Sequence, residues 1–238
     1  MANGSVLITG ASRGIGKAIA MHLASQDYHV IGVSRSAPEE FPGRFYTADL
    51  SDPTPAKAAL AEIAENHKVL RLVHNAGVIE PARIEDITDD QFDAMMRLNV
   101  QAGLWAMQAI LPTMKAARFG RIVMIGSRAG LGKATRLVYS SSKAAILGFT
   151  RTAALELATD GITVNNVAPG PIETELFAAN TPPGSAQREA LLIGVPMRRM
   201  GQPEEVAAAV AYFLSDAAGF TTGQTLYICG GFSIAAPA

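Results

Sequence analysis

A chain of 238 residues with a formal net charge of −1 is long enough for one large α/β domain. Hydrophobic residues make up 49% and charged residues 17%, a composition that excludes a disordered chain. No excess of basic residues is present to neutralise phosphates, so we expect no nucleic-acid partner. No segment is apolar and long enough to cross a membrane, and the four histidines lack metal-ligand spacing. We therefore expect neither a membrane partner nor a metal.

Two features favour the cytoplasm. The single cysteine, Cys229, cannot form an intramolecular disulfide, which is typical of a reducing compartment. Residues 1–5 lack the basic region and long apolar run of a signal peptide. We therefore expect a cytoplasmic protein.

Short apolar runs alternate with helical patterns along the whole chain. The predicted strands cover residues 6–8, 28–33, 44–48, 70–74, 121–125, 162–167 and 226–228. The predicted helices begin near residue 15 and then cover residues 53–66, 89–114, 138–157 and 204–214. This alternation indicates an α/β fold with one parallel sheet covered on both faces, in a single domain. The least regular segment, 175–201, is the predicted substrate lid.

The first predicted strand ends in a glycine-rich turn, Thr9-Gly10-Ala11-Ser12-Arg13-Gly14-Ile15-Gly16. Glycines in such a turn let backbone amides approach a pyrophosphate, and the N-terminus of the next helix supplies partial positive charge. A lone turn of this kind can also be a plain joint between strand and helix. Its place after the first strand of an alternating chain favours a dinucleotide site.

The end of the second strand predicts which dinucleotide binds. An acidic residue there would hydrogen-bond the ribose 2′-hydroxyl of NAD, but this chain has Ser34 and Arg35. A guanidinium suits a 2′-phosphate, and Arg13 lies in the turn nearby. The alternative is that both arginines are solvated at loop tips. The missing carboxylate favours NADP(H) over NAD(H).

Four polar residues form the candidate catalytic set. Tyr139 and Lys143 are four residues apart on a predicted helix and so share one face. An ammonium beside a phenol favours the phenolate, so Lys143 is predicted to lower the pKa of Tyr139 and tune it for proton exchange with a carbonyl or alcohol oxygen. Ser127 follows the fifth strand at the edge where such sheets bind ligands. Asn99 lies inside a predicted helix, where Asn is a poor helix former, and therefore needs a compensating role.

With these residues the chain resembles the short-chain dehydrogenase/reductase family. The motifs occur in the order typical of that family and cover nearly the whole chain. They are Thr9-Gly10-x3-Gly14-x-Gly16, Asp49-Leu50, Asn75-Ala76-Gly77, Asn99, Ser127, Tyr139-x3-Lys143 and Pro169-Gly170-Pro171-Ile172-x-Thr174. The resemblance implies a Rossmann-type, doubly wound sheet of seven parallel strands, assembled as a homotetramer or a dimer.

The resemblance also implies a role for each catalytic candidate. Tyr139 would donate the proton in reduction, and Ser127 would hydrogen-bond the substrate oxygen. Lys143 would lower the pKa of Tyr139 and hold the nicotinamide ribose. Asn99 would anchor a water that links Lys143 to solvent. Hydride transfer would belong to the cofactor.

For the cofactor, the resemblance implies contacts from Asp49 to adenine and from Asn75, Ala76 and Gly77 to the adenosine ribose. Ile172 and Thr174 would orient the carboxamide. The remaining implied cofactor-binding residues are Gly10, Ser12, Arg13, Gly14, Ile15, Gly16, Ser34, Arg35, Leu50, Tyr139, Lys143, Pro169 and Gly170.

The expected activity is interconversion of a small ketone and a secondary alcohol. The subgroup that the chain resembles is that of the 3-oxoacyl-ACP reductases, which provides one alternative substrate. Such enzymes commonly dock the acidic carrier protein through two arginines; Arg118 matches the first, but Asp160 stands in place of the second. A second alternative is a catalytically silent NADP-binding regulator. Substrate, stereochemistry and favoured direction stay open.

Three cations lie between Ser127 and Tyr139, namely Arg128, Lys133 and Arg136. One interpretation is recruitment of an anionic substrate through the local field. The other, which the sequence favours, is a solvated loop with surface ion pairs.

Overall fold

A computed structural model describes residues 3–235, apart from the side chains of Leu176 and Asn180. Seven strands form one sheet in the order β3-β2-β1-β4-β5-β6-β7, with every neighbouring pair parallel. The strands are β1 Ser5–Thr9, β2 His29–Ser34, β3 Gly43–Thr47, β4 Val69–His74, β5 Gly120–Ile125, β6 Ile162–Pro169 and β7 Thr225–Ile228. This topology confirms the predicted single domain with a Rossmann-type sheet.

Eight α-helices accompany the strands. They are α1 Gly14–Ala24, α2 Pro53–Asn66, α3 Asp89–Met96, α4 Ala102–Ala117, α5 Leu137–Leu157, α6 Glu175–Asn180, α7 Ala186–Ile193 and α8 Pro203–Leu214. Side chains that cap the first turn determine where several of these helices begin. Asp52 caps α2 by accepting from the Thr54 amide at 2.9 Å, and Thr88 and Gln91 form a capping box on α3. None of the helices in residues 3–235 has the length and apolarity needed to span a bilayer.

The core has two layers, one on each face of the sheet. Along β1 the buried side chains alternate, because Leu7 packs into the layer formed with α2, α4 and α5, whereas Val6 and Ile8 pack into the layer formed with α1 and α8. A strand buried on both faces reads as a continuous apolar run, which is why β1 shows no polar alternation in the sequence.

The predicted helix 89–114 is interrupted. It runs as α3, a five-residue π-helical turn at Arg97–Gln101, and α4. The buried Asn99 lies in this turn, and a π turn rotates the following residues relative to a regular helix. The predicted lid also contains more regular structure than expected, because α6 and α7 lie within it.

The strand order reverses direction between β1 and β4, so the connections after these strands leave toward opposite faces. In sheets of this type the crevice at that point, outside the carboxyl ends of the strands, is where ligands bind. The glycine turn after β1 and the Asn75-Ala76-Gly77 segment after β4 border this crevice.

Candidate active site

A cleft of about 580 Å³ opens at this crevice. It gathers most of the residues predicted to bind the cofactor, from the ends of β1, β2 and β4 and from the starts of α1, α5 and α6. Those residues are Gly10, Ser12, Arg13, Gly14, Ile15, Ser34, Arg35, Asp49, Leu50, Asn75, Ala76, Gly77, Tyr139 and Thr174.

The glycine turn is shaped by backbone contacts that only glycine permits. Gly10 has φ +68°, and a Cβ there would lie 2.8 Å from the Ala76 Cα. A Cβ on Gly16 would lie 2.1 Å from the Gly10 carbonyl oxygen, so Gly16 supports the turn from behind the cleft. Helix α1 then begins without a side-chain cap or an acidic residue in its first turn. Its free amides and positive dipole end therefore stay available to an anionic ligand.

The far end of the cleft is cationic. Arg13 and Arg35 are exposed at its rim, and the hydroxyl oxygen of Ser34 is buried without a hydrogen-bond partner in the described residues. Asp49 accepts from the Ser51 hydroxyl at 2.6 Å and from the Ser51 amide at 2.9 Å. These bonds lower the pKa of Asp49, with a smaller contribution from the Arg35 charge, although burial opposes the shift. Part of the Arg35 charge is thus balanced by Asp49.

The two loops that border the cleft are tied together by Thr9. Its hydroxyl oxygen accepts from the Asn75 and Ala76 amides at 3.1 and 3.0 Å and lies 2.9 Å from His74 Nδ1. With both lone pairs used, the hydroxyl proton points to His74, so Nδ1 is the acceptor and Nε2 carries the imidazole proton. The Asn75 side chain donates to the Gly10 carbonyl at 2.9 Å. These bonds hold the glycine turn against the segment after β4.

His74 is buried and neutral. Burial lowers its pKa to about 3, the nearby Lys143 charge adds to the fall, and the backbone carbonyl groups of Asn99 and Leu98 oppose it. Between pH 6.5 and 3 the unfolded chain therefore binds a proton on His74 that the folded chain does not, so stability is lost as the pH falls through this range.

Because of His74, we expect the free energy of unfolding to fall by up to about 1.4 kcal/mol for each pH unit below 6.5. The His74→Asn variant should lose this dependence of stability on pH. The control variant His22→Asn, on α1, should keep it. Urea unfolding of the three proteins from pH 7 to 4.5 measures the difference. Parallel pH profiles for the wild type and His74→Asn would show that His74 is not buried in the neutral form.

Tyr139 lines the cleft, and the Ser127 hydroxyl lies beside its phenol without lining the cleft itself. Ser127 is separated from β5 by Gly126 and accepts from the Ala129 amide at 3.1 Å, which fixes its side chain at the start of a short 3₁₀ turn. Tyr139 lies in the first turn of α5 with its phenol set into the cleft wall. Burial raises the pKa of this phenol, and the neighbouring Ser127 hydroxyl partly offsets the rise. In the free protein the net direction is therefore opposite to the lowering that the sequence predicted from Lys143.

Lys143 is buried one helical turn further along α5. Its Nζ donates to the Ile125 carbonyl at 2.8 Å and lies 5.8 Å from the centre of the Tyr139 ring. Burial without a carboxylate lowers its pKa to about 8. Within residues 3–235 one of its three donors bonds to a protein acceptor, which leaves two for a ligand or water.

The Asn99 side chain is largely occupied by protein contacts. Its oxygen accepts from the Val78 amide at 2.8 Å, and its nitrogen donates to the Val78 carbonyl at 3.0 Å and to the Ser142 hydroxyl at 2.9 Å. The side chain thereby joins the segment after β4 to α5. A Cβ at Gly77 would lie 3.1 Å from Asn99 Oδ1 and 3.5 Å from Lys143 Nζ, so the absence of a side chain leaves space between them. A water relay through this space stays a prediction.

Five predicted cofactor residues lie outside the cleft lining, namely Lys143, described above, and Gly16, Pro169, Gly170 and Ile172. Gly16 supports the glycine turn, and Pro169 ends β6. A Cβ on Gly170 would lie 2.7 Å from the Cys229 Cβ, so Gly170 allows β6 and β7 to end close together. The Ile172 side chain packs into the core beside Gly201, which leaves only its backbone for a carboxamide.

Several residues of the cleft were not predicted. Ser36 directly follows the predicted pair Ser34-Arg35, so the strand-end argument extends naturally to it. Leu98 reaches the cleft through the π turn and Glu175 through the start of α6. Neither position carries a sequence signal, because both depend on packing between distant segments.

A doubly wound sheet with a pyrophosphate-type turn at the point of strand reversal, and a buried tyrosine–lysine pair at the same edge, defines a dinucleotide-dependent oxidoreductase. A family model described as enoyl-(acyl carrier protein) reductase matches residues 10–233. The chain is also similar to the 3-oxoacyl-[acyl-carrier-protein] reductase FabG of Salmonella typhimurium, with 37% identity over 94% of this chain and 95% of the relative. The chain belongs to the short-chain dehydrogenase/reductase family.

Solved structures agree with this assignment. The aldohexose dehydrogenase of Thermoplasma acidophilum superposes with a TM-score of 0.92 at 31% identity, over 100% of this chain and 96% of that one. A protein of Beutenbergia cavernae, described provisionally as an NAD(P)-dependent gluconate 5-dehydrogenase with NADP bound at low occupancy, superposes with a TM-score of 0.90 at 32% identity, over 98% and 97%.

Proposed function

We propose that this oxidoreductase interconverts a ketone and a secondary alcohol with NADP(H), using Tyr139 as the acid and base. The observation that carries the proposal is the placement of the Tyr139 phenol beside the Ser127 hydroxyl, with the buried Lys143 ammonium one turn away and the dinucleotide-shaped cleft in front.

The cleft fits a nicotinamide dinucleotide on two counts. The close approach of Gly10 and Ala76 leaves no side chain between the turn and a pyrophosphate, and α1 presents uncapped amides there. At the other end the buried Ser34 hydroxyl lacks a hydrogen-bond partner within residues 3–235. When bound, the nicotinamide supplies hydride to the carbonyl carbon or accepts it from the alcohol.

The residues of the chain would supply orientation and the proton. Tyr139, kept protonated at neutral pH by burial, donates its phenolic proton to the carbonyl oxygen. Ser127 donates a hydrogen bond to the same oxygen and fixes its position. Lys143 uses its free donors to hold the nicotinamide ribose and to stabilise the phenolate that remains. Asn99 holds the segment around Gly77 in place, and a water beside it returns the proton from solvent.

Three features support NADP(H) over NAD(H). Arg13 and Arg35 border the adenosine end, Ser34 adds a hydroxyl donor, and no carboxylate follows β2 to bind the 2′-hydroxyl. Asp49 balances only part of this charge, and its remaining oxygen is available to adenine. Thr174 and the Ile172 backbone are the proposed carboxamide contacts, and residues 175–201 are the proposed lid.

The likeness to the 3-oxoacyl-[acyl-carrier-protein] reductases supports a second candidate, a fatty-acyl thioester substrate. At the expected docking site, however, Asp160 pairs with Lys115 at 3.3 Å, and Arg118 donates to the Thr159 carbonyl at 2.8 Å. The Asp160 carboxylate would repel an acidic partner at this position. A catalytically silent regulator is disfavoured because all four catalytic candidates, Asn99, Ser127, Tyr139 and Lys143, are present.

Assembly remains a prediction of the family resemblance, and location remains a prediction from the single cysteine and residues 1–5. We propose a homotetramer, with a dimer as the alternative, in the cytoplasm. Support comes from exposed apolar side chains on α4, α5 and the β7 region, namely Leu104, Leu155, Phe220 and Leu226. Exposed apolar side chains of this size favour contact between subunits when they are contiguous.

The deciding experiment is a panel of ketones and alcohols assayed with both cofactors. It includes one 3-oxoacyl group carried on acyl carrier protein and on a short thioester mimic. We expect turnover of free ketones with NADPH, and no large preference in kcat/KM for the carrier form. A strong preference for the carrier form would favour the second candidate, and tight NADPH binding without any turnover would favour the regulator.

A further inference from the structure

The loop between Ser127 and Tyr139 contains a cluster of cations without acidic partners. Lys133 lies close enough to Arg128 and Arg136 for their charges to lower its pKa, in addition to a larger effect of burial. Among residues 3–235, none of the ion pairs within 4.0 Å involves any of these three side chains. The surface ion pairs that the sequence favoured for this loop are therefore absent from the described part of the chain.

The two arginines are held in place but keep donors free. Arg128 lies over the Phe232 ring, 4.0 Å from its centre, and donates to the Gly132 carbonyl at 3.2 Å. Arg136 donates through one terminal nitrogen to the Thr135 carbonyl and hydroxyl at 3.0 and 2.7 Å. Its Nε is buried and has no acceptor among the residues that the structure describes. A buried donor without an acceptor is costly, which points to a ligand oxygen that completes the site.

The start of α5 adds to this positive field. The helix has 21 residues, no side-chain cap and no acidic residue in its first turn. A cavity of about 320 Å³ lies against it, lined in part by Lys133, Thr135, Ser140 and Ser141. The Ser140 hydroxyl oxygen is buried without a hydrogen-bond partner in the described part of the chain. The cavity shares no lining residue with the cofactor cleft, so the cofactor phosphates do not account for these donors.

We propose that this cationic loop binds a carboxylate of the substrate, so that the ketone reduced by this protein is a small oxo acid. The inference rests on the proposed function, because the loop begins at Ser127 and ends at Tyr139. Arg128 follows Ser127 directly and Arg136 precedes Tyr139 by three residues, so the Cα atom of each arginine lies within roughly 11 Å of that of the nearer proposed catalytic residue at about 3.3–3.6 Å per residue. The phosphate of a carrier or coenzyme A thioester is separated from its carbonyl by the whole pantetheine arm, which is too long for this spacing.

The test uses methyl ketones that carry a terminal carboxylate, in a series of chain lengths, and the methyl ester of each. For the best length we expect kcat/KM with NADPH to be at least about tenfold higher for the acid than for the ester, the size expected of one charge-assisted hydrogen bond. Lys133→Gln and Arg136→Gln should remove most of this preference by lowering the acid value alone. The control is Lys68→Gln, because Lys68 is exposed and directly precedes β4, at the amino ends of the strands. This variant should change neither value.

Esters that match or exceed their acids at every length would overturn the proposal while leaving the reductase function intact. So would equal losses for acid and ester in Lys133→Gln. A coenzyme A thioester that depends on Lys133 more strongly than any oxo acid would assign the loop to a phosphate instead. If no ketone is turned over, calorimetric binding of the oxo acids to the NADP⁺ complex decides separately: binding weakened about tenfold by Lys133→Gln supports the carboxylate site, and no binding overturns it.

Discussion

Tyr139→Phe should lower kcat by about a hundredfold or more, because general acid catalysis by a positioned side chain contributes roughly 10²–10⁴-fold. The substitution removes only the phenolic oxygen, so the ring keeps its place in the first turn of α5 and beside Lys143. NADPH affinity should change little, since the dinucleotide contacts come mainly from the loops after β1, β2 and β4. Steady-state kinetics on the best ketone of the panel, with NADPH fluorescence titration, measures both quantities.

Tyr212→Phe is the matched control, because Tyr212 is an exposed residue of α8 outside the cleft. It should retain wild-type kcat. The comparison requires that hydride transfer limits turnover, which a slower rate with deuterated NADPH establishes. Near wild-type kcat for Tyr139→Phe under that condition would remove Tyr139 from the proposed role.

The wild-type protein should bind NADPH at least tenfold more tightly than NADH, because a charge-assisted hydrogen bond contributes roughly 1.5–3 kcal/mol and the exposed rim favours the lower end. Arg35→Ala should weaken NADPH binding and leave NADH binding nearly unchanged. Ser34→Asp should shift the preference toward NADH, because a carboxylate accepts from the ribose and repels the phosphate. Dissociation constants at one fixed salt concentration decide the matter, since salt screens the phosphate contact.

Arg44→Ala is the control for Arg35→Ala, since Arg44 is an exposed arginine of β3 that does not line the cleft. It should leave both dissociation constants unchanged. Equal or tighter binding of NADH by the wild type would show that Asp49 neutralises Arg35 more fully than proposed. In that case the choice of NADP(H) fails, while the family assignment and the catalytic residues are unaffected.

The sheet could be predicted from the sequence because its strands are buried on both faces. Val6, Leu7 and Ile8 form a continuous apolar run, which is typical of a strand covered on both faces. The start of α2 could also be predicted, because Asp52 is a typical N-cap and Pro53 is a typical first helical residue. Helices α6 and α7 were missed because they are short and the loop signal Thr181-Pro182-Pro183-Gly184 lies between them.

The candidate site was predictable in its residues and less so in its electrostatics. The spacing of Tyr139 and Lys143 places both on one helix face, but it does not reveal that burial outweighs the lysine charge in the free protein. Asn99 was identified by its poor fit to a helix, yet the π turn and the contacts to Val78 and Ser142 depend on segments distant in sequence. The lack of an acceptor for Arg136 Nε among residues 3–235 likewise depends on tertiary packing, which no local pattern encodes.

The central claim is that hydride passes to a ketone carbon while Tyr139 supplies the proton. Mass spectrometry of the alcohol formed from the best ketone with NADPH deuterated at C4 of the nicotinamide tests it most directly. The account predicts one deuterium on the carbinol carbon, delivered from a single face of the nicotinamide, and loss of this product in Tyr139→Phe. Oxidation of NADPH without labelled alcohol, or equal yields of labelled alcohol from the wild type and Tyr139→Phe, would contradict it.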